Sequence, residues 1–155
     1  MTATALKTEV ESERVLVIER VFKARPKAVF DAFAEPEHLV KWFGPEGATI
    51  THHEQDCRPG GAYTITLFGE QMGSNTVSGV YQEVDDPHSL SFTWAWTQED
   101  GSRGNETIVS LTFAEHDNGT LLRLHQAEFA EVEFRDRHEF GWSSSFNKLE
   151  SFVQT

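Results

Sequence analysis

The chain has a single cysteine, Cys57, among its 155 residues, so it cannot form an internal disulfide. It also lacks any run near the roughly 18 apolar residues that a membrane-spanning helix needs. The N-terminus carries no apolar segment of the kind that marks a secretory signal. These absences are typical of a protein that folds in a reducing compartment, and we expect it in the cytoplasm.

Positive charge is scarce as well. The chain has 13 lysines and arginines against 25 acidic side chains, which gives a formal net charge of -12. Nucleic acids and anionic membrane surfaces attract clustered lysine and arginine. We therefore expect neither nucleic-acid binding nor membrane insertion, and we interpret the acidic residues at turns such as 85–86 as a solubilising shell.

Aliphatic side chains are few, whereas aromatic ones are abundant. Hydrophobic residues make up 38% of the chain, yet it contains 12 phenylalanines, 4 tryptophans and 2 tyrosines. Each large ring buries more area than an aliphatic side chain, so a modest number of rings can hold a domain together. The same rings can also wall a cavity, and composition alone leaves both possibilities open.

The order of the hydrophobic patterns predicts one α+β domain over residues 13–155, preceded by a flexible segment at residues 1–12. Apolar residues alternate with polar ones in the middle of the chain, and short turns separate the runs, which is typical of an antiparallel meander. The last segment changes to a spacing of three and four, the period of a helix. The predicted elements are a strand at 14–22, short helices at 26–33 and 36–43, six strands between 48 and 129 with a loop at 69–75, and a helix from 134 to 153.

The only partner long enough to cover the apolar face of such a sheet is the C-terminal helix. We therefore predict a curved antiparallel sheet of about seven strands that wraps around this helix. The two short helices follow the first strand and would close the open end of the sheet.

Three motifs occur in a specific order: KWFGP at 41–45, RPGG at 58–61 and GW at 141–142. Together with the longer segments VFKARPKAVFDAFAEPEHLVKWFGP and HEFGWSSSFNKLESF, they resemble the START-like helix-grip superfamily, also called SRPBCC. The chain looks most like the branch related to the C-terminal domain of the activator of the 90-kDa heat-shock protein's ATPase. The resemblance covers residues 14–153.

This resemblance implies a cavity between the sheet and the long helix that binds lipids, polyketides or other hydrophobic molecules. Some relatives are cyclases or aromatase-like enzymes, and a distant eukaryotic relative is a co-chaperone with an additional N-terminal domain. Fold alone does not fix function. The chain also departs from the pattern, because Gln126 stands where relatives often place histidine and Glu128 where they place glycine.

We predict a pocket for a small hydrophobic ligand, without a cofactor. The small residues Gly141 and Ser145 lie on the inward stripe of the last helix and would open space there. His53 and Gln126 would orient the ligand. The predicted ligand-binding residues are Trp42, His53, Tyr63, Leu67, Trp94, Trp96, Leu124, Gln126, Trp142 and Phe146.

The segment from His52 to Cys57 contains several metal-ligand residue types, but strand alternation sends His53 and Cys57 to one face and the others to the opposite face. No second cysteine and no H-E-x-x-H motif accompany it, so we predict no metal site. A catalytic pair of His53 and Cys57 would be about 13 Å apart on a strand, too far for a hydrogen bond.

Two other functions remain open at this point. A cofactor-independent enzyme with cyclase- or hydrolase-like acid–base chemistry would use His53, Gln126, His138 and Glu83 at the mouth of the cavity. A co-chaperone-like interaction module would instead bind a chaperone. We expect a binding protein rather than an enzyme or a chaperone partner. The residues specify neither the ligand nor the oligomeric state, and a homodimer is compatible with them.

Overall fold

The computed structural model describes residues 13–154, and the segment predicted to be flexible, 1–12, lies outside the described residues. It contains a seven-stranded antiparallel sheet, two short helices after the first strand and a long C-terminal helix, which confirms the predicted α+β helix-grip fold. The strands are β1 Leu16–Phe22, β2 Thr49–Gln55, β3 Ala62–Gly69, β4 Gly73–Asp85, β5 Ser89–Trp96, β6 Thr107–His116 and β7 Gly119–Ala127, and the helices are α1 Pro26–Ala34, α2 Pro36–Leu39 and α3 Val132–Val153.

The sheet is a meander of six consecutive strands, and the first strand of the chain is added beside the last of them. Its order is β1-β7-β6-β5-β4-β3-β2, so consecutive strands are neighbours from β2 to β7, and β1 joins the far side of β7. Along that last pair, Leu16 lies opposite Gln126 and Phe22 lies opposite Thr120. The two edges of the sheet are therefore β1 and β2.

The strand faces follow the predicted alternation. On β7, for example, Leu122, Leu124 and Gln126 are all fully buried, whereas Arg123 between them is exposed. Side chains on a strand point alternately to opposite faces, so a period of two in the sequence is enough to define the core side. The core lies between this concave face of the sheet and the helices.

Helix α1 begins at Pro26, where the fixed φ of proline suits the first turn. Its buried face packs against the sheet, and the rings of Phe30 and Phe33 meet Phe113 of β6 at centroid distances of 5.3 and 5.7 Å. The second helix was predicted to continue to residue 43, but α2 ends at Leu39 and irregular turns follow. The fully buried Trp42 ties these turns to α1, since its indole N–H donates to the Ala32 carbonyl at 2.9 Å.

Helix α3 is buried mainly in its second half. Trp142, Phe146 and Leu149 of its inward stripe are at most 4% exposed. Earlier on the same stripe, Phe134 is 41% exposed and His138 is half-buried. The C-terminal half of the helix therefore packs against the sheet, whereas a gap separates its N-terminal half from the sheet. No helix among residues 13–154 has the length and apolar character needed to cross a membrane.

The loop predicted at 69–75 is much shorter in the structure. Strand β3 continues to Gly69, which pairs with Gly73 at the start of β4, so only residues 70–72 connect the strands. Gly73 adopts a positive φ of 72°, a conformation that glycine reaches without a steric penalty. Most of the segment predicted as a loop therefore belongs to the paired strands of a hairpin. The tight connection brings Met72 and Asn75 close to the N-terminal half of α3.

Strand β2 carries a bulge that the simple alternation did not predict. The register with β3 shifts between Ile50 and His52, so Thr51 and His52 are both exposed, while His53 and Gln55 are half-buried. A bulge inserts one unpaired residue and bends the strand locally. The predicted separation of His52 and His53 onto different faces is nevertheless present.

Candidate functional site

A pocket of about 560 Å³ lies between the N-terminal half of α3 and the sheet. It extends from β3 and β5 on one side to α3 on the other, and the segment 43–45 closes a third side. The residues that line it are Phe43, Gly44, Pro45, Leu67, Met72, Asn75, Trp94, Trp96, Phe134, Arg137, His138, Phe140, Gly141, Trp142 and Ser145.

Tryptophan rings form the floor of this pocket. The Trp94 ring lies 5.1 Å from Trp142 and 5.6 Å from Trp96 between centroids, within the range of favourable aromatic pairs. Gly141 of α3 keeps the space above these rings open, since a Cβ atom added there would meet no atom within 4 Å. The predicted small residues on the helix thus border the pocket.

His138 holds two of the tryptophans in place. Its Nε2 lies 3.1 Å from Nε1 of Trp94 and 2.9 Å from Nε1 of Trp96, and its Nδ1 lies 2.7 Å from the Phe134 carbonyl oxygen. An indole N–H can only donate, so Nε2 must accept from both rings and the proton must sit on Nδ1. Burial lowers the pKa of His138, which also favours this neutral form.

We expect the stability of the protein to decrease in mild acid because of His138. A free histidine has a pKa of about 6.5, and the folded value lies below it. The unfolded chain then takes up the proton first as the pH falls, so this stability is complete above about pH 6.5 and is lost as the pH falls toward the folded pKa. Urea unfolding between about pH 5 and 8 should reveal a steeper loss for the wild type than for His138→Gln. Identical pH dependence in the two proteins would contradict the assignment.

A second buried network holds Trp142. Its indole N–H donates to Oε1 of Gln126 at 2.8 Å, and Nε2 of Gln126 donates to Oγ1 of Thr107 at 2.8 Å. The Thr107 hydroxyl in turn donates to the Trp94 carbonyl at 3.2 Å. All three indole N–H groups of the floor are therefore bonded inside the protein, and the rings offer their apolar faces to the pocket.

The polar side chains of the pocket lie at its rim. Arg137 donates to Oε1 of Glu133 at 2.7 Å, and its guanidinium carbon stands 5.7 Å from the centre of the Phe134 ring. Asn75 donates through Nδ2 to the Met72 carbonyl at 3.0 Å. The arrangement suits an apolar molecule in the interior with a more polar end toward solvent.

The sequence matches a known protein family over most of its length. The model of the family described as activator of Hsp90 ATPase homolog 1-like protein matches residues 23–154. The chain belongs to this family. The family is part of the SRPBCC superfamily, so the resemblance found in the sequence is confirmed.

Solved structures of similar proteins have the same fold as this chain. The crystal structure of the AHSA1 protein from Silicibacter pomeroyi is 33% identical, with a TM-score of 0.81, and the match covers 88% of this chain and 95% of that one. A protein from Chromobacterium violaceum is 26% identical with a TM-score of 0.82, covering 92% and 98% of the two chains. One from Mycobacterium smegmatis is 26% identical with a TM-score of 0.79, covering 92% of each. No curated protein matches the sequence significantly.

Four of the ten predicted ligand-binding residues line the pocket of this family member: Leu67, Trp94, Trp96 and Trp142. Five others lie elsewhere in the core. Tyr63 borders a separate cavity of about 20 Å³ and donates its hydroxyl to the Thr93 carbonyl. The remaining four pack in the interior with exposures of at most 1%: Trp42, Leu124, Gln126 and Phe146.

His53, the tenth predicted residue, lies in a different cleft beside β2. Its Nε2 lies 2.9 Å from Oε1 of Gln55. Gln126 is fully buried, and both ends of its amide are bonded to Thr107 and Trp142. The two polar groups predicted to orient a ligand are therefore not brought together, because strand alternation fixes a face but not the distance between strands.

The predicted ligand-binding set omitted the residues that form the rim. Phe134 and His138 belong to the helical stripe, and this spacing was the signal that placed them on the pocket side of α3. Phe140 lies off the stripe and is 75% exposed, so no periodicity marks it. Met72 was missed because the hairpin at 70–72 was interpreted as part of a longer loop.

Cys57 is a poor candidate for a nucleophile, and its surroundings hold no metal-binding cluster of described residues. Burial raises the pKa of the Cys57 thiol to about 11, so it is protonated at neutral pH and a poor nucleophile. Within residues 13–154, no three histidine, cysteine, aspartate or glutamate side chains are grouped so as to hold a metal ion.

Proposed function

We propose that this protein binds a small apolar molecule in the pocket between α3 and the sheet. The observation that carries the proposal is the tryptophan floor, whose three indole N–H groups are all bonded to protein atoms. Covering these rings with the apolar surface of a ligand is therefore favourable. No indole N–H group loses a hydrogen-bond partner when water leaves the pocket. A volume of about 560 Å³ lies within the range of small-molecule sites.

The geometry favours a ligand with a flat ring system. Trp94 and Trp142 both line the pocket, with their centroids 5.1 Å apart and their ring faces inclined at 41° to each other. Aromatic groups prefer offset-stacked or edge-to-face contact with such faces. Arg137 and Asn75 at the rim would lie beside a polar end of the ligand.

Tryptophan fluorescence tests this proposal directly, since three of the chain's 4 tryptophans line the pocket. We expect a saturable change in emission with at least one of three probes: a polycyclic aromatic, a steroid or a fatty acid. The matched variants are Phe134→Ala, which removes a lining ring that is 41% exposed, and Phe68→Ala, which removes a ring of 45% exposure outside the pocket.

Phe134→Ala should weaken binding about tenfold, the equivalent of 1.4 kcal/mol, and Phe68→Ala should leave the affinity unchanged. A fluorescence change in none of the three titrations would contradict the proposal. An equal loss of affinity in both variants would contradict the location of the site.

The residues that the sequence suggested for an acid–base enzyme lie at positions that do not support this function. His53 lies in another cleft, and Gln126 is buried and fully bonded. Glu83 accepts a hydrogen bond from the Ser89 hydroxyl at an exposed position. His138 borders the pocket, but both of its ring nitrogens are already engaged. The positions favour binding over catalysis, and the co-chaperone alternative stays a prediction.

A further inference from the structure

A second cleft, of about 550 Å³, lies beside the edge strand β2. It is lined by residues 49–53 of β2, by Lys41 and Phe43 from the turns after α2, and by Lys148 of α3. Phe43 borders both this cleft and the aromatic pocket. The second cleft differs sharply from the first in chemistry, because charged and polar side chains take the place of tryptophans.

Two lysines in this cleft, Lys41 and Lys148, form no ion pair with another described residue. Elsewhere on the protein a lysine such as Lys27 pairs with Asp31 at 3.0 Å and Asp86 at 2.7 Å. Within the described part of the chain, neither Lys41 nor Lys148 lies within ion-pair distance of a carboxylate. This is unexpected on a chain with a net charge of -12, where acidic partners are plentiful.

Lys148 is held in the cleft rather than extended into solvent. Its Nζ lies 3.4 Å from the Pro45 carbonyl oxygen. Burial lowers the pKa of Lys148 more than the nearby Glu46 raises it, so its ammonium group has lost water without gaining a strong ionic partner. An anion in the cleft would supply that partner.

His53 offers a further polar atom to the same space. The amide nitrogen of Gln55 donates to the Phe33 carbonyl at 2.8 Å and to the Tyr81 hydroxyl at 2.9 Å. The oxygen of this amide therefore faces Nε2 of His53, which must carry the proton because the oxygen can only accept. Nδ1 of His53 is left without a protein partner among residues 13–154.

We propose that this cleft binds a small organic molecule that carries a phosphate group. A phosphate monoester has a charge of about −1.5 to −2 at neutral pH, which matches two unpaired ammonium groups. Lysine binds phosphate as a point charge, and the cations that line this cleft are the lysines Lys41 and Lys148.

The rest of the cleft suits the organic part of such a molecule. Val40, Phe43 and Ile50 provide apolar wall, and the volume exceeds what a single phosphate ion would fill. The bulge at Thr51 argues against an added peptide strand, because it interrupts the regular row of backbone groups that strand addition needs. A small molecule makes no such demand.

A titration of the full chain with phenyl phosphate, followed by ¹H–¹⁵N NMR at constant ionic strength, tests the proposal. Inorganic phosphate and phenol are the comparison probes, since each supplies one half of the ligand. We expect saturable shifts at residues 49–53, Lys41 and Lys148 with phenyl phosphate, weaker binding of phosphate at the same residues, and no response there to phenol. Shifts near Trp94 and Trp142 would report the other pocket, so the two sites are read separately.

The variants remove positive charge inside the cleft and outside it. Lys41→Gln combined with Lys148→Gln should weaken phenyl phosphate binding at least tenfold, whereas Lys23→Gln, at an exposed lysine outside the cleft, should leave it unchanged. Thermal unfolding checks that the double variant is folded. The proposal is overturned if no probe shifts these resonances, if phenyl phosphate binds no better than phosphate, or if the double variant binds as tightly as the wild type.

Discussion

Replacing Gly141 by leucine is expected to weaken apolar-ligand binding at least tenfold while leaving the protein folded. Gly141 lies on the pocket side of α3, and a Cβ atom there meets nothing within 4 Å. The added side chain would therefore extend into open pocket volume instead of pushing against the core. It would occupy space that a ligand needs beside Trp142 and His138.

The same substitution should not destabilise the helix. Glycine within a helix costs about 0.5–1 kcal/mol relative to alanine, because it loses more backbone freedom on folding. Gly141→Ala is the matched control, and we expect it to raise the free energy of unfolding by up to about 1 kcal/mol while keeping most of the affinity.

Both variants are compared with the wild type by ligand titration and by urea unfolding. If Gly141→Leu binds the ligand as tightly as Gly141→Ala, the ligand does not occupy the pocket next to α3. If Gly141→Leu unfolds at much lower urea than the wild type, the space beside Gly141 is not open as described.

The largest effect on stability is expected at Gln126. This side chain is fully buried, accepts from Trp142 and donates to Thr107. A buried polar group that loses its partner costs about 1–3 kcal/mol. Removal of the amide leaves the Trp142 N–H without an acceptor, and it also removes one of the two hydrogen bonds of the Thr107 hydroxyl. We expect Gln126→Met, which preserves the volume, to lower the free energy of unfolding by about 2–4 kcal/mol.

Gln126→Ala separates the hydrogen bonds from the packing, because it removes the amide and also leaves a cavity. It should cost about 1–2 kcal/mol more than Gln126→Met. Arg123→Ala, on the exposed face of the same strand, should stay within about 0.5 kcal/mol of the wild type. Urea unfolding with tryptophan emission measures all three, and a cost below about 0.5 kcal/mol for Gln126→Met would mean that the network contributes little.

The role of Gln126 also accounts for the departure of this chain from its resemblance. A neutral histidine, the residue that the resemblance implies for relatives at this position, likewise provides one acceptor and one donor. Either residue can therefore bridge a tryptophan and a threonine in a dry core. In this chain Gln126 bonds to Trp142 inside the core and does not line the pocket.

Much of the fold was present in local patterns of the sequence. The alternation on β5 and β7, the helical stripe from Phe134 to Val153 and the proline at the start of α1 each depend on neighbours within a few residues. The order of these patterns then left one topology for the sheet and its helix. The family resemblance pointed to the same arrangement independently.

The structure differs from the sequence-based expectations where contacts between distant segments set the geometry. Trp42 was predicted in the pocket, but its bond to Ala32 draws it into the core between the two short helices. The bulge in β2 and the tight hairpin at 70–72 depend on pairing with β3 and β4, which no single strand reveals.

By itself, the sequence determined the fold class, the faces of the strands and the aromatic character of the site, because these depend on residue type and local period. Only the tertiary structure decided which rings border open space and which fill the core. It also placed His138 within hydrogen-bond distance of Trp94 and Trp96, and Lys148 beside β2. These residues lie far apart along the chain, so their spacing in the sequence does not reveal that they are close in space. The reason is physical: a cavity is defined by the distance between segments, and that distance is set only when all of them pack.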